Sequence, residues 1–116
     1  MAKREVSDRE KSNVYEAVVR YSLRRAPLAR HSKLYVYINS GAPPELGARF
    51  PDYSVHIESG SAGSSPPRER WYFIVLGTVT DDRAFVTLYT AGSAMFLELA
   101  KAGEHWIVTD ESPAIT

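Results

Sequence analysis

The residues best placed to do chemistry in this chain are His56 and Glu58, two positions apart in the run Val55-His56-Ile57-Glu58. In an extended strand, side chains two apart share a face, so the carboxylate stands beside the imidazole. Such a neighbour fixes the ring tautomer and raises its basicity, as a general base requires. The pair is the catalytic candidate; the competing and favoured reading is a polar outer face on an edge strand. A second set is phenolic. Tyr35 and Tyr37 share one face by the same alternation, and Tyr72 shares a face with Ile74. Phenols lining a pocket can donate to a ligand carbonyl, which makes Tyr35, Tyr37 and Tyr72 the ligand-binding candidates. As core residues they would only send their hydroxyls to the rim.

Other chemistries lack their residues. His31, His56 and His105 form no His-x-x-x-His or His-Glu-x-x-His spacing, and there is no cysteine. No metal site, thiolate nucleophile or disulfide framework is therefore expected, and no cofactor either. His31, in the basic connector, and His105, opening a strand, read as solvated. Ser64-Ser65 have no partner base, and neither a Gly-x-Ser-x-Gly elbow nor a phosphate-binding glycine loop is present.

Formal charge is zero but unevenly spread. Residues 1–33 carry nine Lys/Arg and four Asp/Glu, a balance of +5; residues 34–116 carry five and ten, a balance of −5. The basic set is mostly arginine (Arg4, Arg9, Arg20, Arg24, Arg25, Arg30), which suits carboxylate or phosphate better than lysine does. Such an end could steer an anionic ligand, although a solvated helix face is the simpler reading. No aromatic stacking pattern or nucleic-acid motif accompanies it, so nucleic acid is not an expected partner.

These side chains must be positioned by one helix and a series of strands. Ser7-Asp8-Arg9-Glu10 reads as a capping box, followed by helically spaced Val14, Val18 and Tyr21, by Tyr15 and Val19, and by Leu23. Glu16 and Arg20 form an i,i+4 pair, and Pro27 marks the stop, so the pattern predicts a helix over about 8–25. A strand is expected over 33–39, a short helix from Pro43-Pro44-Glu45-Leu46 to near Phe50, and a strand around 55–58. The stretch 60–67, rich in glycine, serine and proline, predicts a mobile surface loop within a single domain of residues 1–116. Strands at about 70–80, 84–90, 94–101 and 105–109 follow, joined by Asp81-Asp82, Ala91-Gly92-Ser93 and Ala102-Gly103-Glu104. Such short connections favour antiparallel pairing.

Along 71–79, Trp71, Phe73, Val75 and Val79 face one way and Tyr72, Ile74 and Leu76 the other. Phe85 and Tyr89 against Val86 and Leu88 repeat the pattern. Both faces of the sheet are therefore apolar, and one helix can cover only one of them. No apolar h-region follows the first residues, and the longest apolar run, 71–76, is too short to span a bilayer. Neither membrane association nor export is expected, and a cytoplasmic location is.

A leading helix, a short second helix and a long-stranded meander ending in Gly103-Glu104-His105-Trp106-Ile107-Val108 resemble the cystatin-like group. Within it the chain is most similar to the nuclear-transport-factor-2-like superfamily, whose last hairpin often carries Gly-x-x-Trp-x-Val. The stretch 77–110 carries most of the likeness, supported by the helix over 8–25. The resemblance implies an α+β fold, an N-terminal helix packed on a curved antiparallel β-meander, sometimes enclosing a conical pocket. Members of that superfamily include small-molecule isomerases and dehydratases, transport adaptors and many proteins of unknown role, and its enzymes place an acid or histidine on the sheet facing the pocket. The Gln-x-Val-x-Gly hairpin of cystatin inhibitors is missing, Leu76-Gly77-Thr78-Val79 being no substitute, which argues against protease inhibition. Fold likeness does not by itself assign function.

Two classes of function remain. The preferred one is a binding or interaction module forming a homodimer through the free sheet face. The alternative is a pocket protein for a small-molecule or anionic ligand, or an enzyme of isomerase or dehydratase type. A pocket needs polar groups converging in an apolar cavity, whereas the sequence supplies many bulky apolar residues and few convergent polar ones.

Overall fold

The computed structural model describes residues 7–39, 41, 43, 45–60, 63 and 66–114. The expectations for the first six residues, for Ser64-Ser65 and for much of the loop at 60–67 lie outside these. Helix α1 (Asp8–Arg25) starts as the sequence requires: Ser7 is extended, and its Oγ accepts from the Glu10 amide at 3.1 Å. The Glu10 carboxylate turns to Lys101, with Nζ and Oε1 2.8 Å apart. Asp8 and Glu10 sit in the first turn and Arg24 and Arg25 in the last, complementing the helix dipole. The buried stripe is Ser12, Val14, Tyr15, Val18, Val19 and Leu23.

Six strands follow: β1 (Lys33–Ile38), β2 (Ser54–Ser59), β3 (Arg70–Val79), β4 (Arg83–Thr90), β5 (Ser93–Ala102) and β6 (His105–Pro113). They form one sheet in the order β2-β1-β3-β4-β5-β6. From β3 to β6 the pairing is the antiparallel meander expected from the short turns. Gly92 and Gly103 supply the left-handed φ values, 80° and 66°, at two of those turns.

The first half differs from the expectation of a wholly antiparallel meander. Strand β1 runs parallel to both neighbours, Tyr35 pairing with His56 on one side and with Trp71 on the other. The cause is the connection 39–53. It is a crossover rather than a hairpin, carrying a 3-10 helix (Leu46–Arg49) whose Leu46, with the following Phe50, is buried in the core. A segment that buries its own side chains against the sheet returns the chain in the same direction. The sheet is therefore mixed, with β2 at its edge.

The inner face carries Leu34, Val36 and Ile38 of β1, Tyr72 and Ile74 of β3, Val86 and Leu88 of β4, and Leu97 and Leu99 of β5, all buried in one cluster with α1. Trp106 of the closing hairpin is 5% exposed and belongs to the same cluster. Among the strands α1 lies chiefly against β6, while the 3-10 helix lies against α1 and β2. Arg49 joins the two covers. Its Nη1 donates to Asn13 Oδ1 at 2.7 Å and to Glu16 Oε1 at 2.9 Å, and Arg20 donates back to the Arg49 carbonyl at 2.9 Å. Arg20 also donates to Glu16 at 2.8 Å, the expected i,i+4 pair. Burial raises the Glu16 carboxyl pKa, but hydrogen bonds and charge from Arg20 and Arg49 outweigh it and hold the group below the usual carboxylate range.

Candidate functional site

Alternation and register place His56, Glu58, Tyr35 and Tyr37 together on the outer face of the sheet, away from α1. His56 is exposed on the edge strand, with its ring stacked on Tyr35 at 4.9 Å between centroids and 15° between planes. Glu58, also exposed, pairs in register with Tyr37. Tyr37 is buried although it faces outward. Burial raises its pKa, and the charges of Glu58 and Tyr35 add to that, so the phenol keeps its proton. Tyr72 lies apart. It is 2% exposed on the inner face, where its hydroxyl accepts from Arg70 Nη1 at 3.3 Å. The three tyrosines therefore do not converge on one cavity, because β1 and β3 pair with Tyr35 beside Trp71 and so present Tyr72 to the opposite side. His31, between α1 and β1, and His105, at the start of β6, are exposed. Among the described residues no group of histidine and acidic side chains could hold a metal ion.

What dominates the outer face is aromatic. Phe85 is 44% exposed, Tyr89 38%, Phe96 50% and Ile107 53%. Register unites them: Phe73 pairs with Tyr89, Thr87 with Phe96, Phe85 with Glu98 and Ala100 with Ile107, all outward. Phe73 and Tyr89 stack with centroids 5.5 Å apart. A shallow depression of about 320 Å³ lies between Phe85 and Phe96. Gly77 forms part of it; a Cβ there would meet the Phe85 carbonyl at 3.0 Å, so the close approach of β3 and β4 favours a residue without a side chain. Charge also enters the face. Glu98 stands opposite Phe85 in register, beside Asp110 of β6, and both line the depression; Arg83 Nη1 donates to Glu98 at 3.0 Å, and Glu58 lies at the β2 edge.

The two apolar faces were legible in the alternation of β3 and β4. The contribution of Phe96 and Ile107 was not, because β5 reads as one-sided until its register with β4 is known. No model of a protein family matches the chain, and no curated protein or solved structure matches it significantly. Among the described residues no helix is long and apolar enough to cross a membrane.

Proposed function

We propose that this protein is a self-associating binding module and that the outer sheet face is where a second copy docks. The observation that carries the reading is the row of Phe85, Tyr89, Phe96 and Ile107, each more than a third exposed on one face of one sheet. Clustered exposed rings of this kind mark contact surfaces in folded proteins. Apolar rings set among a few charged groups, Glu58 and His56 at the edge and the Arg83–Glu98 pair beside Phe85, have the mixed composition of a non-obligate interface. A two-fold pairing buries each patch against its own copy and closes the assembly. The depression between Phe85 and Phe96 gives a partner's ring a place to enter. The relation to the cystatin-like and nuclear-transport-factor-2-like group belongs to the same proposal. It rests on α1 packed beneath the β3–β6 meander and on Trp106 in its last hairpin, with β1 and β2 as an extension.

Replacing Phe96 with Arg tests the docking. The side chain is half exposed, so the fold survives, as circular dichroism will show. Sedimentation velocity at tens of micromolar should then move from dimer to folded monomer. A variant that sediments as the wild-type dimer places the contact elsewhere.

A further inference from the structure

A second feature lies on the other side of the sheet, away from the proposed docking face. Where α1 ends, an open cleft of about 540 Å³ separates the helix from the near ends of β3, β4 and β5. Three guanidinium groups line it: Arg25 from the last turn of the helix, Arg70 from the start of β3 and Arg68 from the bend just before it. The floor is apolar, formed by Leu88 and Met95. We propose that this cleft binds a small organic carboxylate, its anionic end held by Arg68, Arg70 and the Tyr72 hydroxyl and its apolar body lying on Leu88 and Met95.

The argument starts from charge. Arg25 is already engaged, donating to the Glu111 carboxylate of β6 and, at 3.3 Å, to the Tyr21 hydroxyl. The Tyr21 pKa is raised by burial and by its hydrogen bond to Glu111, although Arg25 opposes this, so that phenol stays protonated and occupied. Arg25 thus forms a fixed wall. Arg70 is different: its Nη1 donates to the neutral Ala26 carbonyl at the helix end and to the Tyr72 hydroxyl. Arg68 is exposed, and neither it nor Arg70 is in an ion pair with a described residue. Glu69 also lines the cleft. Counting Glu69 and Glu111 against the three arginines leaves one positive charge over, on groups without a carboxylate partner among the described residues.

Tyr72 supplies the second, independent observation. Its hydroxyl accepts from Arg70, and the residue, only 2% exposed, lines the cleft. Arg70 and Tyr72, two apart on β3, share a side of the strand, and Arg68, in the bend just before it, lines the same cleft. A carboxylate accepts from guanidinium in a planar, two-point geometry. The cleft's volume is that of a small-molecule site, and its mixture of apolar floor and a few directed polar groups is what such sites use for orientation.

The test is a titration of the full-length, isotope-labelled protein by NMR with three probes: 4-phenylbutyrate, 4-phenylbutanol and inorganic phosphate. The carboxylate should shift the amides of residues 68–72, Ala26 and Met95, and the shifts should weaken with added salt. The alcohol lacks the anion and the phosphate lacks the apolar body, so each should bind roughly tenfold or more weakly. Arg68→Gln, an exposed change outside the core, should lower carboxylate affinity by roughly the same factor, and Tyr72→Phe should do so with the fold intact. Equal binding of carboxylate and alcohol, shifts confined to the outer sheet face, no response at millimolar probe, or an unaffected Arg68→Gln would each overturn the proposal. Phosphate binding as tightly as the carboxylate would overturn the role of the apolar floor. None of these outcomes depends on whether the protein dimerises.

Discussion

Ser12 is buried in the core, fully enclosed on the helix stripe that also carries Tyr15 and Val19, and its hydroxyl has no hydrogen-bond partner among the described residues. Replacing it with alanine should stabilise the protein. Keeping a hydroxyl buried and unpaired costs ~1–3 kcal/mol. Alanine is also the better helix former in the interior of α1, by about 0.5 kcal/mol. Against this stands the loss of one packed atom, a few contacts at ~0.1–0.2 kcal/mol each. The balance is a gain of roughly 1–2 kcal/mol, which in a domain of this size raises the melting temperature by roughly 3–10 °C. Urea and thermal unfolding of Ser12→Ala against wild type, followed by circular dichroism, reads this directly. An unchanged or lower midpoint would show that the hydroxyl is satisfied in solution, and the reasoning would fail.

Other predictions follow from the same packing and charges. Val18→Ala, at a fully buried position, should cost ~1–3 kcal/mol through lost burial and the void it leaves; equal denaturation midpoints would mean the α1 stripe is not core. Because Glu16 is held below its ordinary pKa by Arg20 and Arg49, its contribution is present above the unfolded carboxylate range and disappears as pH falls through the lowered folded value. Wild type should accordingly exceed Glu16→Gln in stability at pH 7, and the difference should close in acid; a gap that persists at pH 2 would contradict the assignment.

How much of this was legible without coordinates differs along the chain. The helix over 8–25 was, because its signals are local: the Ser7 cap, the apolar spacing, and Arg24-Arg25 before Pro27. The meander from β3 to β6 was also legible, since Asp and Gly mark its turns. The direction of β1 was not. Leu34-Tyr35-Val36-Tyr37 alternates identically whether its neighbours run parallel or antiparallel, and pairing is decided by a distant partner. The buried Leu46 and Phe50 in the connection were the one available hint of a crossover.

The same limit governs the sites. His56 and Glu58 share a face as their spacing requires, and the structure places them exposed on the edge strand. Tyr72 could not be separated from Tyr35 and Tyr37 by pattern, since which phase of β3 meets the helix depends on register. The basic character of residues 1–33 was plain in the sequence, whereas the meeting of Arg25 with Arg68 and Arg70 is a long-range event. Arg68, Arg70 and Tyr72 at alternate positions were its only local trace.

The central claim is that the outer sheet face joins two copies of the chain. Sedimentation equilibrium of the unmodified protein over a dilution series from tens of micromolar downward tests it most directly. The account predicts a mass of twice the 13.0 kDa chain at the upper end, falling toward 13.0 kDa on dilution. A mass of 13.0 kDa at every concentration would contradict it.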